Sequence, residues 1–362
     1  MKRLPFPAAP LLLLAMILLL TGMWAGLVRL GWPWPALHRA LPMAHGPLMI
    51  GGFLGALISL ERVVAIVGLK LARRPAIFYL APLAAGAGGV LTALGREAAG
   101  GALLITLASA LLVAMMWLLY RLHPTLHALV MVAAAAAWLI GNLIWLMGQP
   151  VAVVVLWWVA FLVLTIAGER LELSQLLHLP PGTRNTFLAA VALFGVGVGL
   201  AMAAYGPGVR VMGAGMVALA LWLLRYDIAR RRIKAGGQAR FIAIALLAGY
   251  FWLAVSGLLA LGWGGMTAGT WYDSWLHAVL LGFVFSMIFA HAPVVFPAVL
   301  SRPMPFSPRF YGHLALLHAS LLLRLVGDVA AQPSLRQWGG LLNAIAILLF
   351  MANTLLAVRR GR

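Results

Sequence analysis

The chain has 362 residues, 64% of them hydrophobic and only 9% charged, with a mean hydropathy of +1.03. Such a composition excludes a soluble domain of this length and leaves a helical protein that crosses a bilayer many times. The formal charge of +19 lies in short patches between apolar runs, which fits basic residues retained on one side of a membrane and not a nucleic-acid surface.

A transmembrane β-barrel would show alternating segments of ~10 residues, whereas the runs 103–119 and 129–145 are long and unbroken. The expected fold is therefore all-α, a polytopic bundle of about twelve helices forming one integral membrane domain over residues 1–362. Cysteine is absent, so any metal or haem site must draw on His, Met or carboxylates.

In chain order, Lys2 and Arg3 precede an apolar run from Ala8 to about Leu30 that lacks a small-residue cleavage site, and it reads as a retained first span. The further expected spans are 45–68, 76–95, 99–120, 125–148, 151–169, 186–205, 208–225, 240–263, 273–296, 309–329 and 337–358. Placing both termini in the cytoplasm gathers most Lys and Arg there, including Lys70, Arg73, Arg74 and the run Arg230 to Lys234. Only Arg29, Arg39, Arg96, Arg210 and Arg336 then fall outside, an asymmetry that suits a bacterial-type inner membrane. The lipid bilayer is the first partner this implies.

Ionisable side chains inside such spans are expensive and mark sites. His45 opens the second span, in HGPLMIGGF, and His277 stands early in the tenth, in HAVLLGF. The His to Gly-Phe spacing differs by two residues, so the echo is positional. His277 and His291 are 14 residues apart, which returns them to nearly the same helix face about 21 Å apart.

Matched depth suggests an outer pair, His45 with His277, suited to axial ligation of a haem. Gly46, Gly51, Gly52, Gly55 and Gly282 would admit a flat macrocycle or serve as ordinary helix contacts. An inner set comprises His291, His313 and His318, which could hold copper or a second haem, or could hydrogen-bond at a helix end made by Pro293 and Pro297.

Glu61 and Glu169 are candidates for a proton path, or for ion pairs with Arg62 and Arg170 that close helix ends; Glu172 reads as such a pair. Asp328 follows Arg324 at i, i+4 and is its expected partner, and Arg324 could also hold a haem propionate. Surface roles are expected for His38, His123, His127 and His178. An interfacial belt is expected of Trp32, Trp34, Trp157, Trp158, Trp263, Trp271 and Trp275.

Twelve spans, with HGPLMIGGF (His45 to Phe53) and HAVLLGFVFSMIFAHAP (His277 to Pro293), resemble the haem–copper oxidase subunit I superfamily, and more closely the NnrS family of haem- and copper-containing membrane proteins associated with nitric oxide stress. The oxidase His-Pro-Glu-Val motif, His-His pair and His-x-His motif do not occur. The resemblance therefore implies a non-oxidase haem protein in which only His45 and His277 match, as axial ligands. Its role would be redox or nitric oxide-related, with a small gas or an electron donor as partner. The alternative from another class is a proton-coupled secondary transporter that uses Glu61, Glu169 and His291. A third is an assembly or anchoring subunit whose histidines pack.

Overall fold

A computed structural model describes residues 8–68, 75–95, 98–175, 177, 179–300 and 302–360. His178, Lys2, Arg3, Lys70, Arg73, Arg74 and Arg96 lie outside the described residues. The described chain is helical throughout its long elements, and twelve helices among those residues are long and apolar enough to cross a membrane. They are α1 Ala8–Arg29, α2 Pro47–Gly68, α3 Ala76–Leu94, α4 Ala99–Leu122, α5 Leu126–Leu146, α6 Val151–Ser174, α7 Thr183–Leu200, α8 Tyr205–Tyr226, α9 Gly237–Trp263, α10 Thr270–Leu300, α11 Phe310–Val329 and α12 Pro333–Arg360. In hydrocarbon each backbone N–H and C=O must find its partner within the segment, so these apolar runs form helices.

Contacts divide the chain into two compact units, Met1–Phe161 with Val295–Arg302, and Leu162–Val294 with Pro303–Arg362. In the first, α1 and α3 pack on α2, and α4 joins α3 to α5. Trp138 is fully buried there, stacked on Phe161, while Trp158 donates to Asn142 Oδ1 at 2.9 Å. In the second unit α7, α8 and α9 form a series, α9 packs on α10, and α11 pairs with α12.

The spans α2, α6 and α10 bury the largest share of their apolar stretches, 61%, 78% and 72%. Of these, α6 and α10 carry Glu169, Arg170, His277 and His291, and His45 stands two residues before α2. Two of the three are locally unwound. Pro47–Leu54 of α2 and Ala278–Phe285 of α10 are π-helical, with an extra residue per turn. In α2 the N–H of Gly55 bonds Ile50 O, five residues back; in α10 the Ser286 hydroxyl donates to Gly282 O at 2.6 Å. Each π segment lies just after its histidine, so the positional echo between the two sequences is also a conformational one.

Three expectations change. The helix containing His291 does not stop at Pro293 and Pro297 but continues to Leu300, because proline is tolerated in membrane helices where neighbours accommodate the freed carbonyls. Trp158 and Trp275 are fully buried and belong to the core, not to an interfacial belt. Arg324 does not turn back to Asp328 in its own helix; its partner is Asp273 of α10.

Candidate functional site

His45 lies half-buried at the start of α2, and its Nδ1 is 2.7 Å from the carbonyl of Gly22 in α1. A carbonyl only accepts, so Nδ1 carries the proton and Nε2 is the basic nitrogen. The ring rests on Gly26, where a Cβ would come within 2.7 Å of it. Two glycines of α1, Gly22 and Gly26, thus seat this ring against the helix backbone.

His277 shares that hydrogen bond and little else. Its Nδ1 meets the carbonyl of Asp273 at 2.9 Å and the Asp273 carboxylate at 3.2 Å, so Nδ1 is again the protonated nitrogen. Its Nε2 faces Arg324 Nη2 at 3.3 Å. Arg324 closes a fork on Asp273, with Nε at 3.1 Å and Nη2 at 2.8 Å from Oδ2. Arg336 of α12 reaches Asp273 at 3.5 Å and Asp328 at 2.9 Å. The latter contact is close enough to pair by charge but is not aligned as a hydrogen bond. Ser274 donates to the other oxygen of Asp328 at 3.1 Å. Two acids thus face two arginines, and the network is neutral.

Glycine places these charges. A Cβ on Gly339 of α12 would stand 2.6 Å from the backbone N of Arg324, and one on Gly327 of α11 would stand 2.4 Å from that of Arg336. Only glycine at both positions lets α11 and α12 cross close enough to present both guanidinium groups to the start of α10.

Fourteen residues on, the arrangement of His277 recurs at His291. Nδ1 of His291 donates to Met287 O at 2.6 Å, and Arg170 of α6 donates from Nη2 to Nε2 at 2.8 Å. An arginine can only donate, so this imidazole is neutral and its one acceptor lone pair, on Nε2, is engaged in a hydrogen bond. Beside Arg170 lie Asp227, just beyond α8, and Tyr250 of α9, both almost wholly buried. Asp227 Oδ1 accepts from the N–H of Ala229 at 2.7 Å, and the Tyr250 hydroxyl interacts with both Asp227 and Arg170. Burial pushes the Asp227 carboxyl above the ordinary aspartate range, opposed by the charge of Arg170.

The remaining inner histidines have partners of their own. Asn353 donates to His313 Nδ1 at 3.1 Å among Phe241, Phe289, Phe310 and Phe350. Trp252 donates to His318 Nδ1 at 2.9 Å and packs over Gly282. In both rings Nε2 is then the protonated nitrogen, buried without an acceptor among the described residues. That is the opposite tautomer from His45, His277 and His291. Among the described residues no three His, Asp or Glu side chains gather as a metal site would require.

Glu61 pairs with Arg62 at 3.8 Å and is 36% exposed, and Glu169 is half-buried beside Arg170. His38 bonds the carbonyl of Ala93 at 3.0 Å, and His127 lies 3.1 Å from Thr125, the N-cap of α5. Asp273, Asp227 and Tyr250 are the members that sequence reasoning missed. Asp273 was findable: the chain has only seven acids, and this one stands four residues before His277. Nothing in the sequence marks Tyr250.

Fold and clusters together define a multi-pass helical membrane protein with buried His–Arg–Asp groups on its tenth span. The chain belongs to the family described as Domain of unknown function (DUF8744), which it matches over residues 8–359. No curated protein matches it.

Proposed function

We propose that this is a haem-binding membrane protein, akin to the NnrS proteins and outside the oxidases, with a redox or nitric oxide-related role, in which His45 and His277 supply imidazole ligands to haem iron. One shared arrangement carries the reading. Both histidines pin Nδ1–H on a backbone carbonyl, which makes Nε2 the basic nitrogen, and both stand at the head of a π-helical segment containing Gly-Phe. A metal-bound imidazole characteristically donates its other N–H in this way, and π-helical turns concentrate at functional sites. Haem, when bound, would supply one-electron chemistry.

Arg324 is the residue suited to a haem propionate, since its fork matches a carboxylate. Ligation at His277 requires Arg324 to leave the imidazole, and its fork on Asp273 lets it do so while keeping its counter-charge. Among the described residues no three His, Asp or Glu side chains gather, so the reading is stated for haem, which needs only imidazole ligands. The Lys and Arg asymmetry of the sequence supports a reading with both termini in the cytoplasm of a bacterial-type inner membrane.

A second reading rests on the same contact of Arg324 Nη2 with His277 Nε2. If that contact persists in the working protein, Asp273, His277 and Arg324 form a proton-handling group, with Glu61 and Glu169 as further carriers in a proton-coupled transporter. Protein purified from haem-replete cells separates the two. A Soret band that is lost in His45→Ala and in His277→Ala supports the haem reading. A colourless preparation free of metal sinks it and promotes the transporter.

A further inference from the structure

Where α8 turns into α9, residues 225–240 carry six cations, Arg225, Arg230, Arg231, Arg232, Lys234 and Arg240, and one acid, Asp227. All six basic residues are exposed, whereas Asp227 is 2% exposed and turns inward to Arg170 and Tyr250. The one local carboxylate therefore faces a buried arginine and leaves the surface charges to themselves. Among the described residues no ion pair joins an acid to any of the six. Such a cluster of like charges raises the local potential and draws an anion to it.

The backbone beneath these charges is fixed. Asp227 Oδ1 accepts from the Ala229 N–H at 2.7 Å, and Ala229 is 1% exposed. Ile228 O accepts from the N–H groups of Arg231 and Arg232 at 3.0 and 3.2 Å, and Ala229 O from that of Ile233 at 3.1 Å. Ala229–Arg232 is thus one helical turn, packed on α9, that presents three arginines outward from a buried base. Apolar surface adjoins it. Leu221, 58% exposed, lies one turn before Arg225 on the same face of α8, and Ile233, 38% exposed, stands among the cations. The Arg225 guanidinium lies 5.6 Å from the centre of the Tyr226 ring.

We infer that this turn, flanked by Arg225 and Arg240, binds the phosphate headgroup of an anionic membrane lipid. A guanidinium matches phosphate oxygens in a two-pronged contact, and basic clusters at the end of a membrane helix attract anionic headgroups. A free phosphate offers the same oxygens. Exposed Leu221 and Ile233 beside the cations assign the site to a lipid, because they meet acyl chains where the arginines meet the headgroup. A basic loop that only sets topology needs charge and no particular backbone. Here Asp227 holds the turn from inside, so the charges keep fixed positions and the binding is saturable. The inference rests on the multi-pass reading of the helices and does not depend on haem at His45 or His277.

Native mass spectrometry of the purified full-length protein in detergent, titrated with phosphatidylglycerol or with phosphatidylcholine of the same chains, tests it. The expected result is saturable binding of phosphatidylglycerol at several-fold higher occupancy than phosphatidylcholine. The triple variant Arg230→Gln, Arg231→Gln, Arg232→Gln should bind phosphatidylglycerol about tenfold more weakly. Arg359→Gln with Arg360→Gln, which removes exposed charge from the end of α12, should keep the preference. Soluble glycerol phosphate should not displace the lipid. Equal occupancy by the two lipids in the unaltered protein overturns the proposal, whether or not the triple variant folds. Undiminished binding by the folded triple variant, loss of the preference in the α12 variant, or displacement by glycerol phosphate overturns it equally. A Soret band present or absent leaves each of these outcomes unchanged.

Discussion

The two ends of α10 are built from the same parts and finished differently. At each end a histidine bonds the carbonyl four residues back and offers Nε2 to an arginine from another helix, with an aspartate close by. At the His277 end the guanidinium fork is closed on Asp273, and Arg336, Asp328 and Ser274 complete a neutral network. At the His291 end a single arginine meets a single aspartate and a tyrosine, all deeply buried. The larger cluster ties α10, α11 and α12 together; the smaller one joins α6, α9 and the segment after α8.

The largest expected difference follows from breaking the closed end. Asp273→Ala would leave Arg324 and Arg336 without their shared counter-charge, a loss of about 3–5 kcal/mol. Detergent-solubilised protein should show a sharply lowered melting temperature by size-exclusion monitored thermal unfolding. A melt like that of the unaltered protein would mean the network contributes little.

Next come the glycines. Gly339→Ala drives a Cβ into the Arg324 backbone and should cost about 1–3 kcal/mol, because backbone cannot step aside. Gly249→Ala, at the other end, meets the terminal carbon of Met287, a flexible side chain that can turn away. Its melting temperature should fall less than that of Gly339→Ala, and the reverse order would contradict the contrast between the ends.

Ser274→Ala removes one hydrogen bond to Asp328 and should cost about 1 kcal/mol, read as a small shift in the same melt. The smallest effect is a slope. Burial raises the Asp227 carboxyl in the folded protein, so its proton is held more tightly there than in the unfolded chain. The stabilisation from that proton is complete below the ordinary aspartate value, about 3.9, and is lost as pH rises through the raised one. Melting temperature should therefore fall over that window in the unaltered protein and run flatter in Asp227→Asn.

The spans were legible because the rule that makes them, internal pairing of every backbone group in hydrocarbon, acts through long apolar runs that a sequence displays directly. The start of α2 at His45 and the pairing of position with the π segments were visible only as a faint echo, since no residue pattern names a π-helix. Local rules misled where tertiary contacts won. The i, i+4 spacing of Arg324 and Asp328 suggested a pair, but Asp273 from α10 outbid the local acid because Gly339 and Gly327 bring α12 against α11 there. Trp158 and Trp275 lie near span ends, yet the Asn142 side chain satisfies Trp158 in the core. Asp227 and Tyr250 are 23 residues apart in sequence, and only the fold joins them to Arg170.

The central claim is that His45 and His277 are haem ligands, and a spectral titration of haem-depleted, purified protein with haemin tests it most directly. The expected result is a saturable Soret band that is abolished in the His45→Ala, His277→Ala double variant and retained in His123→Ala, whose histidine is exposed. Equal Soret growth in the double variant, or none in the unaltered protein, would contradict it.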